Sequence, residues 1–256
     1  MNLRQSLIVV AVCAMACPVT AQTVDPKSIA AIDASKSDWD VAGQIAEDVG
    51  SVTAATLTWL RLRAGEATFV EYQDFLTRRA DWPGLDRLRS EAELLIDESV
   101  PSQALVSWFG DNTPQTGEGA VQLAQAQIAL GQAEAARDTL RTTWIERRLT
   151  EEGQEAMVEA VAEDLKPFHA ARGDELLWRS RATDAEGMVP LLSEEQGALT
   201  AARIGYIRRA GNLPALVEKV PAALRLDPGF AYARYAWLSR RGERTDAVKV
   251  LLERST

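Results

Sequence analysis

Asp81-Trp82-Pro83-Gly84 interrupts two apolar series at helical spacing. Tyr72, Phe75 and Leu76 precede it, and Leu85, Leu88, Ala92, Leu95 and Ile96 follow. Side chains three and four residues apart share one helix face, so each series marks a helix with one buried side. Proline is tolerated in the first turn of a helix, where its missing N–H has no partner to lose. Asp81-Trp82-Pro83 therefore reads as a helix start, and the local pattern is helix, sharp break, helix.

The pattern repeats along the chain. Leu123, Ala126 and Leu130 form one further face, and Met157, Val161 and Leu165 another. Leu216, Val220 and Leu224 follow, then Tyr232, Tyr235 and Ala236. Thr68 with Glu71, and Ser193 with Gln196, match the capping box, in which side chains satisfy the orphan amides of a helix start. Asp227-Pro228 reads as another start, and Gly65, Gly110, Gly131, Gly173, Gly211 and Gly242 as helix ends. No alternating strand pattern and no Asn-Gly or Asp-Gly hairpin signal occurs. An acid followed by alanine recurs at Glu134-Ala135, Asp184-Ala185 and Asp246-Ala247, each after a break. Short helices cannot bury an apolar face alone, and small alanines let neighbours approach closely. The expected fold is all-α: a superhelix, or solenoid, of short antiparallel helix pairs, degenerate and tetratricopeptide-like.

The N-terminus reads as an export signal. Arg4 is followed by an apolar run from Leu7 to Cys17 and by small residues at Val19-Thr20-Ala21. That is the secretory pattern, with cleavage expected after Ala21 and a periplasmic address. The run is too short to span a bilayer. Ala14-Met15-Ala16-Cys17 matches a lipoprotein signal less well. Both cysteines, Cys13 and Cys17, fall inside the signal. The mature chain would then hold no thiol, which excludes disulfides and cysteine catalysis. Residues 22–36 are polar and read as a flexible linker, and residues 37–256 as one continuous helical domain. The formal net charge is −9. An acidic balance argues against nucleic acid as a partner, since phosphate binding needs basic patches.

Few constellations carry chemistry. His169 is the only histidine, so zinc would have to rely on carboxylates, and no metal or cofactor is expected. His169 reads as a residue near a helix start after Pro167. Acids such as Glu91 with Glu93, Asp97 with Glu98, and Glu194 with Glu195 read as solvated or dipole-favouring residues. A catalytic carboxylic acid would need partial desolvation to hold its proton. Seven tryptophans are spread over the chain: Trp39, Trp59, Trp82, Trp108, Trp144, Trp178 and Trp237. Trp82, Trp108 and Trp144 are the candidates for stacking on a glycan. Their even spacing equally suits rings that plug gaps between helices.

The series from Tyr72-Gln73-Asp74-Phe75 through Asp81-Trp82-Pro83-Gly84, Ala92-Glu93, Trp108-Phe109, Pro114, Thr116, Leu123-Ala124, Gly131 and Trp144 resembles the N-terminal U-shaped superhelical domain of soluble lytic transglycosylases. Those periplasmic enzymes cleave the glycan strands of peptidoglycan to 1,6-anhydromuropeptides with a C-terminal lysozyme-like domain. In that family the catalytic acid lies in a Glu-Ser pair ahead of a Gly-Leu-Met-Gln segment. Here Glu98-Ser99 runs into Val100-Pro101, and no Gly-Leu-Met-Gln occurs. No catalytic role is carried onto Glu98. The resemblance implies a scaffold that positions a glycan strand, inactive alone, with peptidoglycan and a catalytic domain, in cis or in trans, as partners. The alternative is a free-standing periplasmic helical-repeat module that binds proteins or cell-wall peptides.

Overall fold

The computed structural model describes residues 24–253. The expected signal peptide, residues 1–21 with Cys13 and Cys17, lies outside the described residues. Among those described, the regular structure is fifteen α-helices with short 3-10 turns and no strand, as the 3.6-residue periodicity predicts. None of these helices is long and apolar enough to cross a membrane. The chain divides into two compact units, the first ending at Ala64 and the second beginning at Gly65.

The first unit holds α1 (Pro26–Ala34), α2 (Trp39–Glu47) and α3 (Ser51–Arg63). The polarity of residues 22–36 predicts a linker, but α1 stands there. Asp25 accepts the Lys27 N–H at 2.8 Å, and Pro26 takes the first helical position. Ala31 is wholly buried against Ala42, Ala46 and Leu57, with Ile32 and Ala34 half-buried beside it. So few small apolar contacts leave little amphipathic pattern to read. Asp38 starts α2 by accepting the Asp40 and Val41 N–H groups at 2.9 and 3.1 Å.

The second unit opens with α4 (Phe69–Arg78), α5 (Leu85–Glu93) and α6 (Ser102–Phe109). It continues through α7 (Gly117–Ala129), α8 (Ala133–Glu146), α9 (Glu151–Leu165) and α10 (His169–Trp178). It closes with α11 (Ala182–Met188), α12 (Glu194–Arg208), α13 (Leu213–Glu218), α14 (Pro228–Arg240) and α15 (Arg244–Leu252). Packing follows chain order. Helix α7 packs on α6, α8 and α9; α10 on α8, α11 and α12; α12 on α13 and α14; α14 on α15.

The expected caps form. The Thr68 N–H donates to Glu71 Oε2 at 2.8 Å, Ser193 Oγ accepts the Gln196 N–H at 3.3 Å, and Asp227 accepts the Phe230 N–H at 2.8 Å. Two boundaries differ from the sequence reading. The break at Asp81–Gly84 is real, but α5 begins at Leu85, because Gly84 (φ 70°) turns the chain into the left-handed region after Pro83. Gly173 does not end a helix; it is buried inside α10.

Four of the helix pairs are joined by the same turn. After α7, α10, α12 and α14 the chain enters the left-handed region at Gly131, Ser180, Arg209 and Gly242. The next residue's N–H then reaches back five residues to a carbonyl: Gln132 to Gln127, Arg181 to Leu176, Ala210 to Gly205, and Glu243 to Leu238, at 2.8 to 3.1 Å. This closure satisfies carbonyls that the helix end would leave orphaned. In three of the four pairs the fifth residue after the turn is a buried alanine, Ala136, Ala185 or Ala247. The acid–alanine echo thus marks the right turns, but at α8 the buried alanine is Ala136, one residue beyond the Glu134-Ala135 pair.

Helices α7 and α9 touch at two glycines. A Cβ on Gly117 would fall inside the backbone carbonyl of Gly153. Backbone cannot swing away as a flexible side chain can. Gly117→Ala should therefore destabilise by about 2 kcal/mol or more, in the range of overpacked sites. Gly187→Ala in α11, where nothing lies within 4 Å of the added methyl, should instead stabilise by roughly 0.5–1 kcal/mol. Urea midpoints of the two variants check both signs.

Candidate functional site

The largest core cluster of the second unit is built around Trp144 on α8 and Met157 on α9. Trp144 has no exposed surface. Its ring is covered by the Arg172 guanidinium, 4.6 Å from the centroid, and His169 lies 5.5 Å away. A sealed ring offers no face to a sugar, so Trp144 is a packing residue. Arg172 serves the end of α8. Its Nη1 donates to the Trp144 carbonyl and, at 3.3 Å, to that of Arg147, while Nη2 donates to Gln154 Oε1 at 3.2 Å. A buried guanidinium here answers the orphan carbonyls and the negative pole of α8. Burial lowers its pKa to about 10, which leaves it charged at neutral pH. Burial, then the positive charges of Arg172 and Lys166, push His169 below its ordinary value, so its imidazole is neutral at pH 7. Among the described residues no group of three His, Asp or Glu is placed to hold a metal ion.

Glu93 is the acid that the sequence did not set apart. At the end of α5 it is 2 % exposed. Its oxygens accept the Gln115 N–H at 2.9 Å, and the Thr116 N–H and hydroxyl at 2.7 Å each. Thr116 in turn accepts the Gly119 N–H at 2.9 Å. The carboxylate and this threonine together cap the start of α7. Burial raises the Glu93 pKa, and the hydrogen bonds oppose that rise without cancelling it. Desolvation of this kind suits an acid catalyst, but both oxygens are already engaged by backbone and hydroxyl donors. The site's product is a helix start. Glu98, by contrast, is exposed in the turn after α5.

The other two aromatic candidates are half-buried. Trp82 meets Phe75 edge to face at 5.4 Å. Trp108 meets Phe69 at 5.0 Å and Phe109 at 4.6 Å, both edge to face. Such geometry is how aromatic rings pack with one another. Of the three, only Trp144 is wholly sealed; Trp82 and Trp108 remain half-buried.

A different group of rings faces solvent. Trp178, the last residue of α10, is 42 % exposed, and Tyr232 on α14 is 50 % exposed. Their centroids are 5.1 Å apart with planes tilted by 34°, and Tyr235 extends the row at 6.4 Å from Tyr232. Both tyrosines lie one turn apart on α14, and the α10–α14 contact brings the tryptophan to them. Arg203 on α12 supports the row from beneath. Its guanidinium is 5.7 Å from the Trp178 centroid, pairs with Asp174, and lies 4.0 Å from Asp227. Gly229 makes this possible, since a Cβ there would overlap the guanidinium. Trp178 and Tyr232 thus form an exposed aromatic pair, and Tyr235 is half-buried against Leu238, Ala247 and Val250. Sequence spacing could not distinguish Trp178 from the six other tryptophans, because exposure at α10 depends on where α14 stops covering it.

No family model, no curated protein and no solved structure matches this chain.

Two outcomes test the buried charges. Arg172→Ala removes donors from buried carbonyls and should cost about 3 kcal/mol, with Arg172→Lys recovering less than half, since an ammonium cannot fork to the same acceptors. Chemical denaturation measures both. The Glu93 folded pKa lies above the ordinary 4.5. Its favourable contribution is therefore present below that value and is lost as pH rises through the folded value. Measured against Glu93→Gln, which cannot titrate, the wild type should lose stability as pH rises above the ordinary 4.5. A difference that stays constant over that range excludes the shift.

Proposed function

We propose that this chain is a periplasmic helical scaffold that holds a peptidoglycan glycan strand for cleavage by a lysozyme-like catalytic domain, in cis or in trans. The support is the resemblance of Tyr72 to Trp144 to the lytic transglycosylase superhelix, together with one structural observation. That observation is the exposed pair of Trp178 and Tyr232, extended by the half-buried Tyr235. Pyranose rings carry apolar C–H faces and polar rims. A row of aromatic faces with hydroxyls and charged groups at its edge is complementary to that chemistry. Repetition of rings along the row suits a polymer better than a single small molecule. The reading moves the glycan contact away from Trp82, Trp108 and Trp144, whose rings are packed.

In this reading the helix pairs form a superhelical arm, and the arm supplies binding rather than chemistry. The acids with a place in the fold are used as caps, as Glu93 and Asp227 are. Catalysis then belongs to the partner domain.

Sedimentation with purified peptidoglycan tests the proposal. The wild type should co-sediment, and Trp178→Ala combined with Tyr232→Ala should weaken binding about tenfold, on the order of 1.4 kcal/mol, with unchanged thermal stability. The chain alone should release no anhydromuropeptides above a blank by mass spectrometry. Equal binding by the double variant removes the aromatic row from the proposal, and anhydro products from the purified chain remove the division of labour.

A further inference from the structure

A cavity of about 570 Å³ opens between the α12–α13 turn and the end of α14. Its walls include Arg209, Arg240 and Arg241, and its apolar floor is made by Leu213, Pro214 and Trp237. Arg241 has its charge met: it pairs with Glu243 at 2.6 Å and lies 4.6 Å over the Trp237 ring. Arg209 and Arg240 have no acidic partner among the described residues. Both are exposed, so their guanidinium donors are open to an incoming anion beside an apolar floor.

Arg209 adds an independent observation. It occupies the left-handed position of its turn, at φ 56°. In the equivalent turns after α7 and α14 that position is glycine, Gly131 and Gly242. A side chain there carries a steric cost that glycine avoids. Non-glycine residues held in such conformations tend to mark places where the side chain is needed. Arg209 is among the residues that line the cavity, and the turn itself would close as well with glycine.

We infer that this cavity binds the C-terminal carboxylate of a short peptide with small apolar side chains. Guanidinium forks match carboxylates in two parallel hydrogen bonds. The apolar floor takes methyl groups but offers nothing to a long polar chain, and the volume lies within the range of small-ligand sites. This site uses none of the residues of the Trp178 row, so it stands or falls independently of glycan binding.

The probes are acetyl-Ala-Ala with a free carboxylate, the same dipeptide as its C-terminal amide, and inorganic phosphate. Each is titrated by calorimetry and by amide NMR against the whole chain. The free acid should bind and shift the resonances around Trp237 and Arg240, with the amide at least about tenfold weaker. Arg240→Gln and Arg209→Gly should each lose about tenfold. Arg209→Gly should melt at the same temperature or higher, because glycine relaxes the turn, so its loss of binding cannot come from unfolding. Trp178→Ala should bind the free acid unchanged. Four results overturn the inference: no binding of the free acid at millimolar concentration, equal binding of acid and amide, full binding by Arg209→Gly and Arg240→Gln together, or phosphate binding as tightly as the dipeptide.

Discussion

Close approach between helices is the constraint on which the second unit depends. Its helices are short, seven to fifteen residues for most of them, and none has enough apolar surface to stand alone. They are stable only where backbones come near one another. Those places are held by the smallest residues: Gly117 against Gly153, Gly229 over Arg203, and Ala136, Ala185 and Ala247 behind their turns. The repeated left-handed turn sets the geometry of each approach. It ends one helix, closes its carbonyls and starts the next helix so that its fourth residue faces back into the pair. A small residue at that fourth position then follows from space alone.

Close packing leaves helix-end carbonyls and amides without helical partners, and charged side chains, some buried and some at the surface, answer them. Arg172 satisfies the C-terminal carbonyls of α8, Arg179 donates to the Glu146 carbonyl at 2.8 Å, and Arg147 reaches those of Thr113 and Pro114 at 3.1 and 3.0 Å. Glu93 does the complementary work at the amide end of α7. Arginine is suited to this because its five donors are fixed in a plane and it stays charged when desolvated. The preference for arginine over lysine in the composition is thus partly structural. Several of these arginines join one helix end to the next rather than serving an external ligand.

The elements that were legible in the sequence are those with local causes. Thr68 and Glu71 can be read as a cap because the residues that meet are three apart. Asp227-Pro228 is legible for the same reason, and so is the left-handed turn at Gly131 and Gly242. What could not be read depends on residues distant in sequence. Glu93 looks like any acid near a helix end until Thr116, twenty-three residues on, is seen to occupy its oxygens. Helix α1 is hidden because its polar surface faces solvent and its only fully buried residue is Ala31. Trp144 and Trp178 sit at similar places in their helices, yet one is sealed by Arg172 and the other is left open by the arrangement of α14. The candidate site is therefore less legible than the fold, since exposure of a ring is a tertiary property.

The two features proposed to bind ligands lie beside the same kind of turn. Ser180 and Arg209 are the non-glycine residues at the left-handed turn position. Ser180 directly follows the Trp178 row, and Arg209 lines the arginine cavity. At the other two turns glycine carries no side chain and the turn is only structural. A turn that departs from glycine accepts strain, and in both cases the departure adjoins surface that the packing does not consume. In this fold the helix pairs build the body from small residues, and both proposed binding features lie where a turn replaces glycine with a residue that has a side chain. The arginine case is the stronger, because a guanidinium held in a left-handed turn has its donors unmatched within the protein, whereas a serine there has little to offer beyond its position next to an exposed indole.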